Sequence, residues 1–315
     1  MNILVTGCAG FIGSWICQKL LNNNDYKVIG IDNFDPYYPK EIKLDNMKDF
    51  ENNSNFSFLE IDITDTNAMN NLFENNSIDL VIHLAAKAGV RSSVLHPLDY
   101  DRVNTFGTLN ILDCMKKYGT KKMIFASSSS VYGDIEKTKF TEDMTDLKPL
   151  SVYAQSKKSA EEYIGLYCRQ YGLNAVCFRF FTVYGEKQRP DLAICKFTRQ
   201  IKNDLTLTMY GDGSTYRDYT HVEDITNGIL SAINYNKTPF EIINLGSENP
   251  VKLSDLIAML EDIIGKKANI EIKPIPGEDM KRTYADTSKA KELLGYIPKI
   301  DFKTGLEDYV KSYDN

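Results

Sequence analysis

Tyr153 and Lys157 stand four residues apart in the run Tyr-Ala-Gln-Ser-Lys. On a helix that spacing brings both side chains onto one face. A phenol near its ordinary pKa of about 10 is a poor base at neutral pH. A lysine cation beside it favours the phenolate, and shifts of roughly 2–5 units are the scale met at functional sites. Such a pair can exchange a proton with a substrate hydroxyl. Upstream, Ser127-Ser128-Ser129-Ser130-Val131-Tyr132-Gly133 offers hydroxyls to hydrogen-bond the reacting oxygen. Alone, Tyr and Lys at this spacing are a common accident, so the surrounding elements decide what they mean.

A second set of residues supplies that context. Gly7-Cys8-Ala9-Gly10-Phe11-Ile12-Gly13 falls between a short apolar run and a helical pattern. Glycines in a strand-to-helix turn mark a dinucleotide site. Gly7 allows the tight turn, and Gly10 lets the backbone approach a pyrophosphate where Phe11 and Ile12 open the helix. Gly13 allows helix and strand to pack closely. Asp32 ends the second apolar run, about 20 residues on, with Asn33 after it. A carboxylate there accepts bonds from ribose hydroxyls and repels a 2′-phosphate, which favours NAD over NADP. Asp62-Ile63 is placed to reach the adenine, and Leu84-Ala85-Ala86-Lys87 to close the cleft. An oxidised nicotinamide would add a second positive charge beside Tyr153.

These groups need a scaffold that gathers strand ends. Strands are expected at 2–6, 26–31, 56–61, 79–85, 122–127 and 175–180, with helices near 11–21, 66–75, 102–118 and 151–171. Strands alternating with helices imply a doubly wound parallel sheet of the Rossmann type, in an α/β fold. Continuous apolar strands such as Leu80-Val81-Ile82-His83-Leu84 suit a sheet covered on both faces. After about residue 180 the texture turns to shorter, mixed elements, with helices near 222–234 and 253–265. We expect a dinucleotide domain over 1–180 and a smaller mixed α/β substrate lobe over 181–315, interleaved with it.

Composition limits the alternatives. At 43% hydrophobic residues a large core can form, and the net charge of −6 comes without a basic block, which argues against nucleic acid. No stretch approaches the ~20 apolar residues of a membrane span, and the N-terminus does not read as a signal peptide. The six cysteines lack metal-ligand spacing, so reduced core thiols, no metal and a cytoplasmic setting are expected.

Gly7, Gly10, Gly13, Asp32, Asp62, Leu84-Ala85-Ala86, Asn104, Ser128, Tyr153 and Lys157 together resemble the extended short-chain dehydrogenase/reductase family, across essentially the whole chain. The resemblance implies NAD as cofactor, with Tyr153 as acid/base, Ser128 as the triad hydroxyl, Lys157 as the ribose-binding cation and Asn104 near the nicotinamide. It also implies a UDP-sugar substrate and a homodimer paired through the helices near 102–118 and 151–171. Ser129 and Ser130 stand where the family's 4,6-dehydratases carry Asp-Glu, and Ser130 where UDP-glucuronate decarboxylases carry Glu. With no extra acid or base there, redox at one carbon is the economical reading. Thr182 replaces the Asn usual in UDP-galactose 4-epimerases. The runs Arg179–Gly185, Gln188–Ala193 and Ala88–Ser92 are similar to those of UDP-glucuronate 4-epimerases.

That similarity implies interconversion of UDP-glucuronate and UDP-galacturonate through a 4-keto intermediate. A uronate carboxylate needs hydroxyl donors and a cation. Ser129, Ser130 and Thr182 offer the first, and Arg91 or Arg189 the second. Tyr210 and Arg217 match the family's uridine-diphosphate segment, with Arg282 as a second diphosphate contact. Two alternatives stay open: a 4-epimerase of a neutral UDP-sugar, and a non-catalytic NAD-binding redox sensor.

Overall fold

The computed structural model describes residues 1–135 and 139–313; the last two residues of the expected C-terminal lobe lie outside them. The described residues form twelve strands and twelve α-helices. The first half contains β1 (Asn2–Thr6), α1 (Phe11–Leu21), β2 (Lys27–Asp32), α2 (Lys40–Met47), β3 (Phe56–Glu60), α3 (Thr66–Asn75), β4 (Leu80–His83), α4 (Val90–Leu95), α5 (Pro97–Asp101), α6 (Gly107–Tyr118) and β5 (Lys122–Ser128). The second contains α7 (Val152–Tyr171), β6 (Asn174–Phe180), β7 (Thr182–Tyr184), α8 (Ala193–Lys202), β8 (Thr206–Tyr210), β9 (Tyr216–His221), α9 (Val222–Ser231), β10 (Phe240–Leu245), β11 (Pro250–Lys252), α10 (Leu253–Ile264), β12 (Asn269–Lys273), α11 (Ser288–Leu294) and α12 (Phe302–Ser312).

Seven strands make one sheet in the order β10-β6-β5-β4-β1-β2-β3, and every pairing in it is parallel. Side chains alternate between its faces with period two. Ile3, Val5, Leu80, Ile82 and Ile124 pack with Ile16 and Leu20 of α1 and Ile225 and Ile229 of α9. Leu4, Val81, Met123 and Phe125 pack instead with Leu72 of α3, Ile111 of α6 and Ile164 of α7. Both faces are thus covered, which is why these strands read as continuous apolar runs. The strand order reverses between β1 and β4, where such sheets open a ligand crevice at the carboxyl ends of their strands.

Downstream of β6 the chain serves two structures. β10 returns to the large sheet and pairs with β6 in register Phe240–Ala175 to Leu245–Phe180. β7, β9 and β11 form a small mixed sheet, and β8 with β12 a parallel pair. A separate core joins Phe197 of α8, Leu256 and Leu260 of α10 and Leu306 of α12.

β2 ends on Asp32 as expected, so that carboxylate is set by the strand itself. Two differences from the sequence expectation matter for the site. α2 and α4 carry no clear apolar periodicity in sequence, yet Lys43 of the first and Val90, Arg91 and Ser92 of the second line the clefts. The helix expected from 102 begins instead with a π-turn over Arg102–Phe106, closed by the Gly107 N–H donating to the Arg102 carbonyl five residues back. Such wider turns gather at functional sites.

Candidate active site

The glycine turn is built by exclusion of side chains. Gly7 has φ +72°, and a Cβ there would lie 2.9 Å from the Ala85 nitrogen, so this turn touches the end of β4. At Gly13 a Cβ would fall 2.0 Å from the Gly7 carbonyl oxygen. Gly10 opens α1, and no side chain caps that helix end. Its first N–H groups and positive dipole end are left to an anion.

These glycines, with Phe11 and Ile12, form one wall of a long cleft. Asp32, Asn33, Asp62 and Ile63 line it as well, together with Leu84, Ala85, Ala86 and Lys87. Burial would raise the Asp62 carboxyl, but bonds from the Thr64 N–H (2.7 Å), the Thr64 hydroxyl (2.8 Å) and Asn33 Nδ2 (2.9 Å) outweigh it and hold it low. Asn104 does not line the cleft. It lies one layer behind, where its side chain bonds both the N–H (2.8 Å) and the carbonyl (3.0 Å) of Lys87 and the Ser156 hydroxyl (3.0 Å). The π-turn thus pins the loop after β4. Thr6, unremarked in sequence, works alongside: its hydroxyl receives the N–H groups of Leu84 and Ala85, both at 3.1 Å.

Tyr153 and Lys157 line the same cleft. Ser151 caps α7 through the Ala154 N–H, so the Tyr153 pair stands on the first two turns of a firmly started helix. Lys157 Nζ donates to the Ala126 carbonyl at 2.7 Å, and burial pushes its ammonium down to about 7 despite Glu161. Burial likewise raises the Tyr153 phenol, opposed by a hydrogen bond from Ser128 and by the charge of Arg189. Arg189 thus adds a cation beside Tyr153, while the Lys157 ammonium is engaged by the Ala126 carbonyl of β5. Glu161, one turn further along the same face, was missed. It takes a bidentate pair from Arg179 (3.0 and 2.8 Å) and the Ser127 hydroxyl.

A second cleft adjoins the first, and Tyr37 lines both. Arg91, Thr182, Tyr210 and Arg217 lie in the second cleft. Arg217 donates to the Tyr216 carbonyl at 2.8 Å, and burial lowers its guanidinium. Arg91 stacks 3.8 Å over the Tyr210 ring and bonds Asp279 at 2.6 Å. Arg189 lies in the first cleft, where it grips Asp191 through two bonds of 2.9 Å. Tyr37 reaches the same Asp191 at 3.3 Å.

Ser128, Ser129, Ser130 and Arg282 do not line either cleft, although Ser128 reaches Tyr153 through a hydrogen bond. Ser129 is buried in the turn after β5, and the Ser130 N–H donates to Ser128 Oγ at 3.2 Å. Arg282 lies between the rings of Tyr216 and Tyr284, 5.6 and 5.4 Å from their centroids. Asp191 and Asp279, the acids that occupy the two candidate arginines, were passed over in sequence because nothing local marks them.

Two joined clefts, one shaped for a dinucleotide and one closed by arginines, invite comparison with known proteins. The profile of the GDP-mannose 4,6-dehydratase family matches residues 4–309. The chain belongs to that family of extended short-chain dehydrogenases/reductases. Within the family it is 42% identical over 305 residues to a UDP-glucuronate 4-epimerase of Thermodesulfobacterium geofontis, covering 96% of this chain and 93% of that one. A crystal structure of UDP-glucuronic acid 4-epimerase from Bacillus cereus, in complex with UDP-glucuronic acid and NAD, superposes with a TM-score of 0.93 at 40% identity, covering 100% and 99% of the two chains. A UDP-glucose 4-epimerase from Thermotoga maritima gives 0.91 at 34% identity, covering 100% and 99%.

Proposed function

We propose that the protein is an NAD-dependent 4-epimerase that interconverts UDP-glucuronate and UDP-galacturonate through a 4-keto intermediate. The observation that carries this reading is a pair of clefts that share Tyr37, the first of them lined by Tyr153 and Arg189, on a chain similar end to end to UDP-glucuronate 4-epimerases. The glycine turn, the uncapped start of α1 and the Asp32 carboxylate suit NAD. When bound, the nicotinamide takes hydride from carbon 4 and returns it to the opposite face. Tyr153 removes and restores the carbon-4 hydroxyl proton, and Ser128 holds that oxygen. Thr182 and Arg189 face the carboxylate, and Arg217 neutralises the diphosphate. The keto intermediate is a β-keto acid, so holding its carboxylate out of line with the carbonyl suppresses loss of carbon dioxide. The test is anion-exchange analysis of purified protein with UDP-glucuronate. Appearance of UDP-galacturonate without added reductant is expected, and absence of turnover sinks the reading.

A neutral UDP-sugar is the second reading. It is favoured by one observation: Arg91 and Arg189 are both already paired with acids. A panel of UDP-glucuronate, UDP-glucose and UDP-N-acetylglucosamine separates the two by relative kcat/KM.

We further propose a cytoplasmic homodimer. Leu98, Phe106, Tyr163 and Tyr171 are exposed on α5, α7 and the π-turn, an apolar surface suited to a second copy. Light scattering at micromolar concentration should read about twice the 35.8 kDa of one chain. All six cysteines are free thiols, as suits a reducing compartment. No described helix is long and apolar enough to cross a membrane.

A further inference from the structure

The first cleft contains a buried ion pair with no part in the reaction above. Asp32 at the end of β2 and Lys43 on α2 are only 8% and 5% exposed, and both line the cleft. Lys43 Nζ lies 3.8 Å from Asp32 Oδ1. It also donates to the Asp35 carbonyl at 2.9 Å and sits 4.9 Å from the Tyr38 ring centroid. Lys40 and Lys48, its neighbours around α2, keep side chains 46% and 69% exposed, so Lys43 is no ordinary solvated lysine. One turn on, Asn46 Nδ2 donates to the Ala9 carbonyl at 3.0 Å. The helix carrying Lys43 is thereby fastened to the glycine turn.

A carboxylate removed from water without a counter-charge takes up a proton instead. Burial does raise the Asp32 carboxyl; Lys43 is the strongest opposing influence, followed by the N–H groups of Phe34 and Ala9, while Asp35 pushes it further up. The Tyr38 phenol is itself pushed up to about 12 and the Cys8 thiol well above its usual range, both by burial, so neither brings charge near neutrality. Lys87, another cation of the cleft wall, is engaged with Asp35 at 3.0 Å.

We propose that Lys43 is a positioning residue for the dinucleotide, which holds Asp32 ionised and aimed at the adenosine ribose. Selection of the cofactor then belongs to a pair of residues rather than to Asp32 alone. This rests on the reading of the cleft as an NAD site. The sign follows from the raised carboxyl: the charge-assisted ribose bond is present above the Asp32 pKa and lost below it. Removing Lys43 moves that loss up toward neutrality. A charged acceptor and a neutral one differ by about fivefold in affinity.

The experiment is calorimetric titration of the full chain with NAD from about pH 6 to about pH 9, for the unmodified protein, K43R, K43M and D32N/K43M. Flat profiles are expected for the unmodified protein and K43R. K43M should lose about fivefold in affinity toward the acid end. D32N/K43M should be flat again, because no carboxyl is left to titrate. If K43M does not fold, K43Q takes its place. A flat K43M profile, or an acid loss that persists in D32N/K43M, overturns the proposal. An unmodified protein that does not bind NAD overturns the reading of the cleft instead.

Discussion

The two clefts lie side by side, yet they are built in opposite ways. The cofactor cleft is made of strand ends and the turns that follow them: Gly7 after β1, Asp32 ending β2, Leu84 after β4, Ala126 within β5. Its geometry is enforced by backbone, as the 2.0 Å gap at Gly13 shows. The substrate cleft is assembled from α4, α8, β8, β9 and the loop around Asp279, held across the gap by side chains. One of its arginines, Arg91, is already paired, with a partner 188 residues away. A backbone-built site is rigid before any ligand arrives. A site closed by ion pairs must exchange partners, and that gives it a means of choosing between charged and neutral sugars.

The sharpest probe sits in the cofactor cleft. Tyr153→Phe should lower turnover of UDP-glucuronate by about 10²–10⁴-fold, the usual worth of a general acid–base group. The ring still packs near Tyr100, and NAD affinity should stay within a factor of about three, since a lost neutral hydrogen bond costs little. Steady-state kinetics and calorimetry on the same preparation check both halves. A variant that keeps most of its rate removes Tyr153 from the chemistry.

Backbone enforcement predicts unequal glycines. Gly13→Ala drives a methyl into the Gly7 carbonyl and should cost about 3 kcal/mol of stability, at the upper end for overpacking. Gly10→Ala meets only that same oxygen, at 3.2 Å, and should cost less than about 1 kcal/mol while weakening NAD. Urea midpoints read the first effect and cofactor titration the second. Equal losses of stability would mean that the turn is not divided between packing and ligand approach.

This contrast also explains what sequence made legible. The glycine turn and the Tyr153–Lys157 pair were readable because each is set by spacing within one turn or helix, and Asp32 and Asp62 because each stands at the end of a readable strand. Six of the seven strands of the large sheet were readable, five of them because burial on both faces makes each an apolar run; β3, at the sheet edge, is only partly buried. The seventh, β10, was not, since it lies among the short elements of the second half. Lys43 and Asp279 could not be found, because the ion pairs that define them exist only after folding. The four serines in a row could not be told apart: they look alike in sequence, and the turn after β5 leaves only Ser127 lining a cleft. Glu161 was within reach, being the next position on the face that carries Tyr153 and Lys157.

The Arg189–Asp191 pair, which links the two clefts, predicts a change of selectivity rather than of fold. Arg189→Ala removes a charge-assisted bond worth roughly 1.5–3 kcal/mol to a uronate. The ratio of kcat/KM for UDP-glucuronate over UDP-glucose should fall by about 10–100-fold. Asp191→Asn weakens the competitor for the same guanidinium and should move that ratio the other way. Parallel shifts in both variants would show that the pair acts as a structural unit. Equal loss on both sugars in Arg189→Ala would hand the carboxylate to Arg91.

The smallest effect belongs to Arg91. Its pair with Asp279 leaves the arginine side chain 45% exposed, and exposed ion pairs are worth about 0–1 kcal/mol. Stacking on Tyr210 adds roughly 0.5–1 kcal/mol. Arg91→Ala should therefore change stability by no more than about 1–2 kcal/mol. Because Arg91 comes from the α4 side and Tyr210 and Asp279 from the other, the contact spans the mouth of the cleft. Its loss should raise KM for every UDP-sugar alike and leave kcat nearly unchanged, as expected when binding is lost equally from ground and transition states. Raised salt should mimic the variant in the unmodified protein by screening the same exposed pair. A fall in kcat confined to UDP-glucuronate would contradict this, because it would place Arg91 at the sugar carboxylate rather than at the rim.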